Sequence, residues 1–315
     1  MAMANILITG MAGGLATLVA ARLAREYSIY GLDFRDYPTA WPFPGQFFKL
    51  AYTKRQVADL FRQYQFAAVI HLGRLGNPQA SFAKRYHFNV VGTENILKLC
   101  EKHHVPKSLV LSTFHVYGAH PHNHIHITED NPLRASLTFP EIDDAVELDN
   151  LSTSYLWRNR ESKTVVLRPC NIIGPHINNT LARFLRNRYV PYLMGFDPMQ
   201  QYIHEEDMAD AIVAALKSDC HGVYNVIGAG AVPYQTAISL AGGIGVPVPH
   251  LIAYPFVDFL SRFGLAFPAH LMDYLRYPTI MLDKKFREES GFQPHYGISQ
   301  TFQSIHQGRP LEVGR

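Results

Sequence analysis

Short apolar runs alternate with stretches in which apolar residues recur at helical spacing, and this alternation organises the chain as far as Arg168. Ile6-Leu7-Ile8-Thr9 has the pattern of a buried strand, runs into glycines, and is followed from Leu15 to Glu26 by a helical pattern. A second strand is predicted over Ser28 to Asp33. Further strands are predicted at Phe66 to Leu72, Ser108 to Ser112 and Val165 to Arg168, with a helix over Val90 to Lys102. Strand, helix, strand in this order predicts an α/β fold with a doubly wound parallel sheet.

Beyond Pro175 the periodicity loosens and prolines and aromatics multiply, although Glu206 to Lys217 again has helical spacing. A smaller, discontinuous C-terminal part is expected, made of 176–199 and 231–315, beside a first domain of 1–175 to which 200–230 returns. The aromatic-rich run from Leu251 to Tyr277 predicts a pair of amphipathic helices, serving a core, a dimer face or an apolar substrate pocket.

Composition narrows the function classes. With 315 residues, 47% hydrophobic and 17% charged, the chain can bury a large core. A net charge of +3 without a clustered Lys/Arg stripe argues against a nucleic-acid surface and for small-molecule chemistry. Cys100, Cys170 and Cys220 match no metal or redox spacing, so reduced, buried thiols and a cytoplasmic location are expected. The start lacks a basic region, which predicts no signal peptide, and no charge-free stretch is long enough to predict a membrane span.

The first chemical motif is Thr9-Gly10-Met11-Ala12-Gly13-Gly14-Leu15-Ala16. Gly10 can take positive φ for the turn, Gly13 lets backbone approach a pyrophosphate, and the following helix start offers unpaired N–H groups to it. Asp33 ends the second strand where a carboxylate can accept hydrogen bonds from an adenosine ribose. That charge favours NAD over NADP, while Arg35 nearby keeps a 2′-phosphate possible. The competing accounts are a purely structural turn and a solvated strand end.

Several landmarks then occur in order. These are His71-Leu72-Gly73, Asn89-Val90-Val91-Gly92-Thr93, Ser112-Thr113-Phe114-His115-Val116-Tyr117-Gly118, Leu167-Arg168-Pro169-Cys170-Asn171-Ile172-Ile173-Gly174-Pro175 and His204-Glu205-Glu206-Asp207-Met208-Ala209. Together they resemble an extended, atypical short-chain dehydrogenase/reductase of the NAD-dependent epimerase/dehydratase family, over nearly the whole chain. The resemblance implies a Rossmann-like fold, bound NAD, a homodimer and a small-molecule substrate, which the C-terminal composition suggests is bulky or partly apolar. It also implies that His71, Leu72, Gly73, Asn89, Ser112, Pro169 and Asn171 flank the cofactor.

In that family a tyrosine hydroxyl exchanges a proton with the substrate oxygen, a lysine four residues on supports it, and a Ser or Thr orients the substrate. Thr113 matches the Ser/Thr position. The family's usual distance before Arg168 lands on Phe139 and Asp143, which can serve neither role. The remaining candidates for the missing group are Tyr117 and His115, with an acidic patch at Glu141, Asp143 and Asp144 that either caps a helix or supplies a base. Tyr155 sits too close to Arg168 to stand in. The histidines 115, 120, 122, 124 and 126 suit a solvated loop better than a metal site. Two functions follow: a redox, epimerase or dehydratase enzyme with a non-standard acid/base set, or a nucleotide-binding regulatory or scaffold protein without turnover.

Overall fold

A computed structural model describes residues 3–76, 80–249 and 269–307. The elements of the first part are β1 (Ala4–Thr9), α1 (Gly14–Leu23), β2 (Tyr27–Asp33), β3 (Gly45–Lys49), α2 (Arg55–Gln63), β4 (Phe66–His71), α3 (Phe82–Tyr86), α4 (Gly92–Lys102), β5 (Lys107–Leu111), α5 (Ala135–Thr138), α6 (Asp143–Arg158) and β6 (Lys163–Pro169). Then come β7 (Asn171–Ile173), α7 (Thr180–Leu185), β8 (Tyr189–Leu193), β9 (Met199–His204), α8 (Glu205–Lys217), β10 (Gly222–Val226), β11 (Ala231–Pro233), α9 (Tyr234–Leu240) and β12 (Ile244–Val248).

Seven strands form one parallel sheet in the order β10-β6-β5-β4-β1-β2-β3. This is the doubly wound Rossmann-like arrangement expected from the alternation. β1 shows why its sequence is apolar throughout: Ile6 and Ile8 face α1 and α8, while Leu7 faces the α2 and α4 side, and all three are fully buried. α1 and α8 are further tied by Arg22, which bonds Glu206 and Asp210, each at 2.5 Å. Thus α8 and β10, late in sequence, complete the large sheet and its covering layer.

A second core gathers Ile173, Leu185, Val190, Tyr202, Tyr234 and Phe302 around two small sheets, β11-β9-β7 and β12-β8. β3 went unpredicted because Gly45–Lys49 is a short edge strand with no buried residue, whereas α2 was missed although Val57, Leu60 and Phe61 are buried at helical spacing. Most of the run from Leu251 to Tyr277 lies outside the described residues; its described end, Ala269–Leu275, is a 3-10 helix. The three cysteines are free and buried. Among the described residues no helix is long and apolar enough to cross a membrane.

Candidate active site

The order of the sheet reverses between β1 and β4, and in open parallel sheets ligands bind outside the carboxyl ends of the strands at such a switch point. Here Gly10 and Gly73 follow β1 and β4, and Ser112 and Asn171 follow β5 and β6, all at the carboxyl edge of the sheet. Gly10 has φ of 73°, and a Cβ there would lie 2.7 Å from both N and Cα of Gly73. The two loops therefore meet backbone to backbone, an approach that a side chain at Gly10 would prevent. Gly13 caps α1 without a side-chain bond, so the first N–H groups of that helix, including those of Gly14 and Leu15, keep their capacity for an anion. Gly14 lies under His176, whose ring pairs with the buried Glu205 at 2.5 Å.

Asp33 is fully buried and accepts from the Ala12 N–H at 3.0 Å and from Arg35 Nη2 at 2.9 Å. It also takes Arg35 N and Nε, so its carboxylate is saturated by its own neighbours. Met11 is buried beneath this turn. These residues fit a dinucleotide: Asp33 is placed for a ribose, and half-exposed Arg35 can yield its position to the ribose hydroxyls.

His71 faces the interior rather than the ligand space. Its Nδ1 meets Thr9 Oγ1 at 2.7 Å and its Nε2 meets Thr93 Oγ1 at 2.9 Å, and burial pulls its pKa down to about 4. It is a neutral brace between β1, β4 and α4. Leu72 is half-buried beside it. Asn89 sits in a π-type turn at the head of α4, where it accepts from Leu75 N at 2.7 Å and donates to Asp144 at 2.5 Å.

A second network fixes the carboxyl ends of β5 and β6. Arg168 and Asp149 form a buried two-pronged ion pair at 2.9 and 2.6 Å, and Ser112 Oγ donates to the same Asp149 at 2.5 Å. Arg168 also donates to the Tyr117 hydroxyl at 2.9 Å, which donates to Asn225 at 2.7 Å. Tyr117 is buried, its pKa is raised to about 12 chiefly by that burial, and it is not among the residues lining the cavity described next. Its placement in this network corrects the expectation that it faces substrate, because both bonding roles of its oxygen are spent on structure.

The cavity has a volume of about 320 Å³ and lies beyond the ends of β4, β5 and β6. Thr113 and His115 line it, with Thr113 Oγ1 and His115 Nδ1 2.8 Å apart. Pro169 and Asn171 form another wall; Asn171 donates to the Gln201 carbonyl at 3.1 Å. Phe139 is buried, and its ring centroid lies 5.8 Å from that of Tyr274. Asp143 begins α6 and is half-buried outside the lining, whereas its neighbour Asp144 lines the cavity. Glu141 stands at the rim, exposed. His122, His124 and His126 are exposed, away from the cavity.

Of the lining residues that the sequence analysis did not single out, three bear on the chemistry. Tyr274 packs against Phe114, His115 and Phe139, donates its hydroxyl to the His115 carbonyl at 2.5 Å, and has its pKa pushed up by burial. Arg74 and Arg85 complete the set. A charge placed directly after His71-Leu72-Gly73 was a readable signal for Arg74; Tyr274 belongs to the Leu251 to Tyr277 run for which an apolar substrate pocket was one expectation, but nothing in that run singled it out.

A model of the NAD dependent epimerase/dehydratase family matches residues 6–227, and the chain belongs to that family. An uncharacterized protein of Mycobacterium tuberculosis is 29% identical over 267 residues, covering 81% of this chain and 69% of that one. The UDP-glucose 4-epimerase of Thermus thermophilus in complex with NAD has a similar fold, with a TM-score of 0.76 at 20% identity over 96% of this chain and 98% of the other. So does the dTDP-glucose 4,6-dehydratase of Bacillus anthracis in complex with NAD, at a TM-score of 0.74 and 19% identity over 98% and 96%. The family resemblance read from the landmarks holds, and NAD is the cofactor by which the family is described.

Proposed function

We propose that this protein is an NAD-dependent oxidoreductase of the epimerase or dehydratase type, acting on a hydroxyl- or carbonyl-bearing substrate with Thr113, His115 and Tyr274 in place of the usual Tyr/Lys pair. The observation that carries the reading is the 2.8 Å contact between Thr113 Oγ1 and His115 Nδ1 in the wall of the cavity. NAD would rest on the Gly10 to Leu15 turn with its ribose at Asp33, Gly73 and Asn89 beside it, and Pro169 and Asn171 near its reactive end. When bound, it supplies the hydride acceptor for a carbon bearing a hydroxyl.

The residues supply the proton path. With His115 Nδ1 unprotonated, Thr113 passes its hydroxyl proton to that nitrogen and takes the proton of the substrate hydroxyl. The carbon would be oxidised to a carbonyl as its hydrogen leaves as hydride to the acceptor that bound NAD supplies, and the reverse step would return both the hydride and the proton. Tyr274 holds the His115 backbone in place and closes the wall where Phe139 has no hydroxyl to offer.

The test is a screen of hydroxyl and carbonyl substrates, read by NADH absorbance, with NADH affinity followed by fluorescence. His115→Gln is expected to lower kcat by about 100-fold or more with unchanged NADH affinity. An unaltered kcat sinks the acid/base assignment, and wild-type protein that binds neither dinucleotide sinks the cofactor site. The alternative, a nucleotide-binding protein without turnover, has the buried Phe139 in its favour; it gains if NADH binds and no substrate turns over.

A further inference from the structure

The cavity contains a cation whose donors no described neighbour uses. Arg74 lines it, and the buried Nε of Arg74 has no hydrogen-bond partner. Among the described residues Arg74 makes no ion pair within 4.0 Å, whereas Arg85 beside it is fully committed. Arg85 donates to the Glu141 carbonyl, to the Ala80 carbonyl at 3.4 Å, and lies 3.6 Å from Asp144. Asp144 is the one buried carboxylate of the group and already receives Asn89 at 2.5 Å. Two guanidiniums thus share one carboxylate, leaving about one positive charge over. The Glu141 side chain does not restore the balance, since it stands exposed at the rim where water screens it.

A guanidinium cannot shed its proton, so burying one without a partner costs stability unless a ligand supplies the missing acceptor. Two anions are available in principle: the cofactor pyrophosphate and a charged group on the substrate. The lining favours the substrate. The cavity that holds Arg74 also holds Thr113 and His115, and includes none of the residues from Gly10 to Leu15.

We infer that Arg74, braced by Arg85 and Asp144, forms an anion-binding subsite that selects a substrate carrying a carboxylate near its reacting carbon. The inference rests on the reading of this cavity as the substrate site. A carboxylate pairs with a guanidinium through two parallel hydrogen bonds, which would fix substrate orientation as well as supply affinity. It would also explain how a site without the usual lysine remains cationic: the charge comes from the loop after β4, while the helix contributes an aspartate.

The test compares wild type, Arg74→Gln and Arg74→Lys in three readings. NADH affinity by fluorescence comes first. It should agree within about twofold among the three proteins, and a loss of about tenfold in Arg74→Gln would place Arg74 on the cofactor and overturn the proposal. Absence of NADH binding by wild type would overturn the cofactor reading itself, and this inference with it. Next, NADH-saturated protein is titrated calorimetrically with UDP-glucuronate against UDP-glucose, and with glucuronate against glucose. Wild type should prefer an acid by about tenfold or more, Arg74→Gln should lose that preference, and Arg74→Lys should keep part of it. Equal binding of acid and neutral ligand, no acid bound at millimolar concentration, or a preference that survives Arg74→Gln each overturns the subsite. Last, Arg74→Gln should melt at the same or a higher temperature than wild type without ligand; a lower melting temperature would mark Arg74 as structural and overturn it.

Discussion

The dinucleotide turn and the reaction cavity lie against each other at the end of one sheet, yet two of their buried side-chain groups are held in opposite ways, while the backbone N–H groups of the turn stay open to an anion. In the turn, Asp33 is saturated by Ala12 and Arg35, and His71 by Thr9 and Thr93. In the cavity, Arg74 has a buried nitrogen with no partner among the described residues. A region whose groups satisfy one another can be recognised from spacing, since each residue answers a fixed neighbour. A region left unsatisfied waits for a molecule of another kind, and its residues come from wherever the fold delivers them.

The sharpest way to test what a satisfied network is worth is to unbalance the one that holds the ends of β5 and β6 beside the cavity. Asp149→Ala leaves the buried Arg168 charge without its partner, and stability is expected to fall by about 3–5 kcal/mol, read as a lower urea midpoint. A loss within experimental scatter would show that the network is dispensable.

The next effect is one of pH. His71 has a folded pKa near 4 because burial disfavours its charge, whereas the unfolded chain titrates near ~6.5. Between these values the unfolded state binds the additional proton, so the His71 contribution is full above about pH 6.5 and is lost as the pH falls toward 4, by up to about 3 kcal/mol. Urea midpoints at pH 7 and pH 5 measure it. The His71→Gln protein should show a shallower decline, and identical slopes would remove His71 from the account.

The smallest effect concerns the cavity. Phe139→Tyr combined with Asp143→Lys restores the family's residue types but should not raise turnover, because Phe139 is packed against Tyr274 and Asp143 stands outside the lining. The new buried hydroxyl should cost about 1 kcal/mol of stability. Turnover rising well above wild type would show a decayed standard site instead.

This asymmetry also explains what the sequence could disclose. The parallel strands were legible because both faces of Ile6-Leu7-Ile8 are buried, and the turn was legible because Gly10, Gly13 and Asp33 answer local demands of backbone and charge. β3 was not, since an exposed edge strand lacks an apolar signature. Tyr117 was misplaced because its proximity to Thr113 in sequence says nothing of Asn225, the residue that claims its hydroxyl from 108 positions away. Tyr274 fell in a run expected to serve a core, a dimer face or an apolar pocket, but its partner was hidden for the same reason: its contact with His115 spans 159 positions.

The placement of β10 has a consequence for how the chain matures. It pairs along the whole of β6 and brings Asn225 to the Tyr117–Arg168 network. As synthesis passes residue 175, the glycine turn and its aspartate already exist, but β6 still presents an open edge and Arg168 lacks part of its setting. The nascent protein therefore passes through a stage in which a nucleotide-binding half is complete in sequence but unfinished as a sheet, exposed to wrong pairing until the late strand docks.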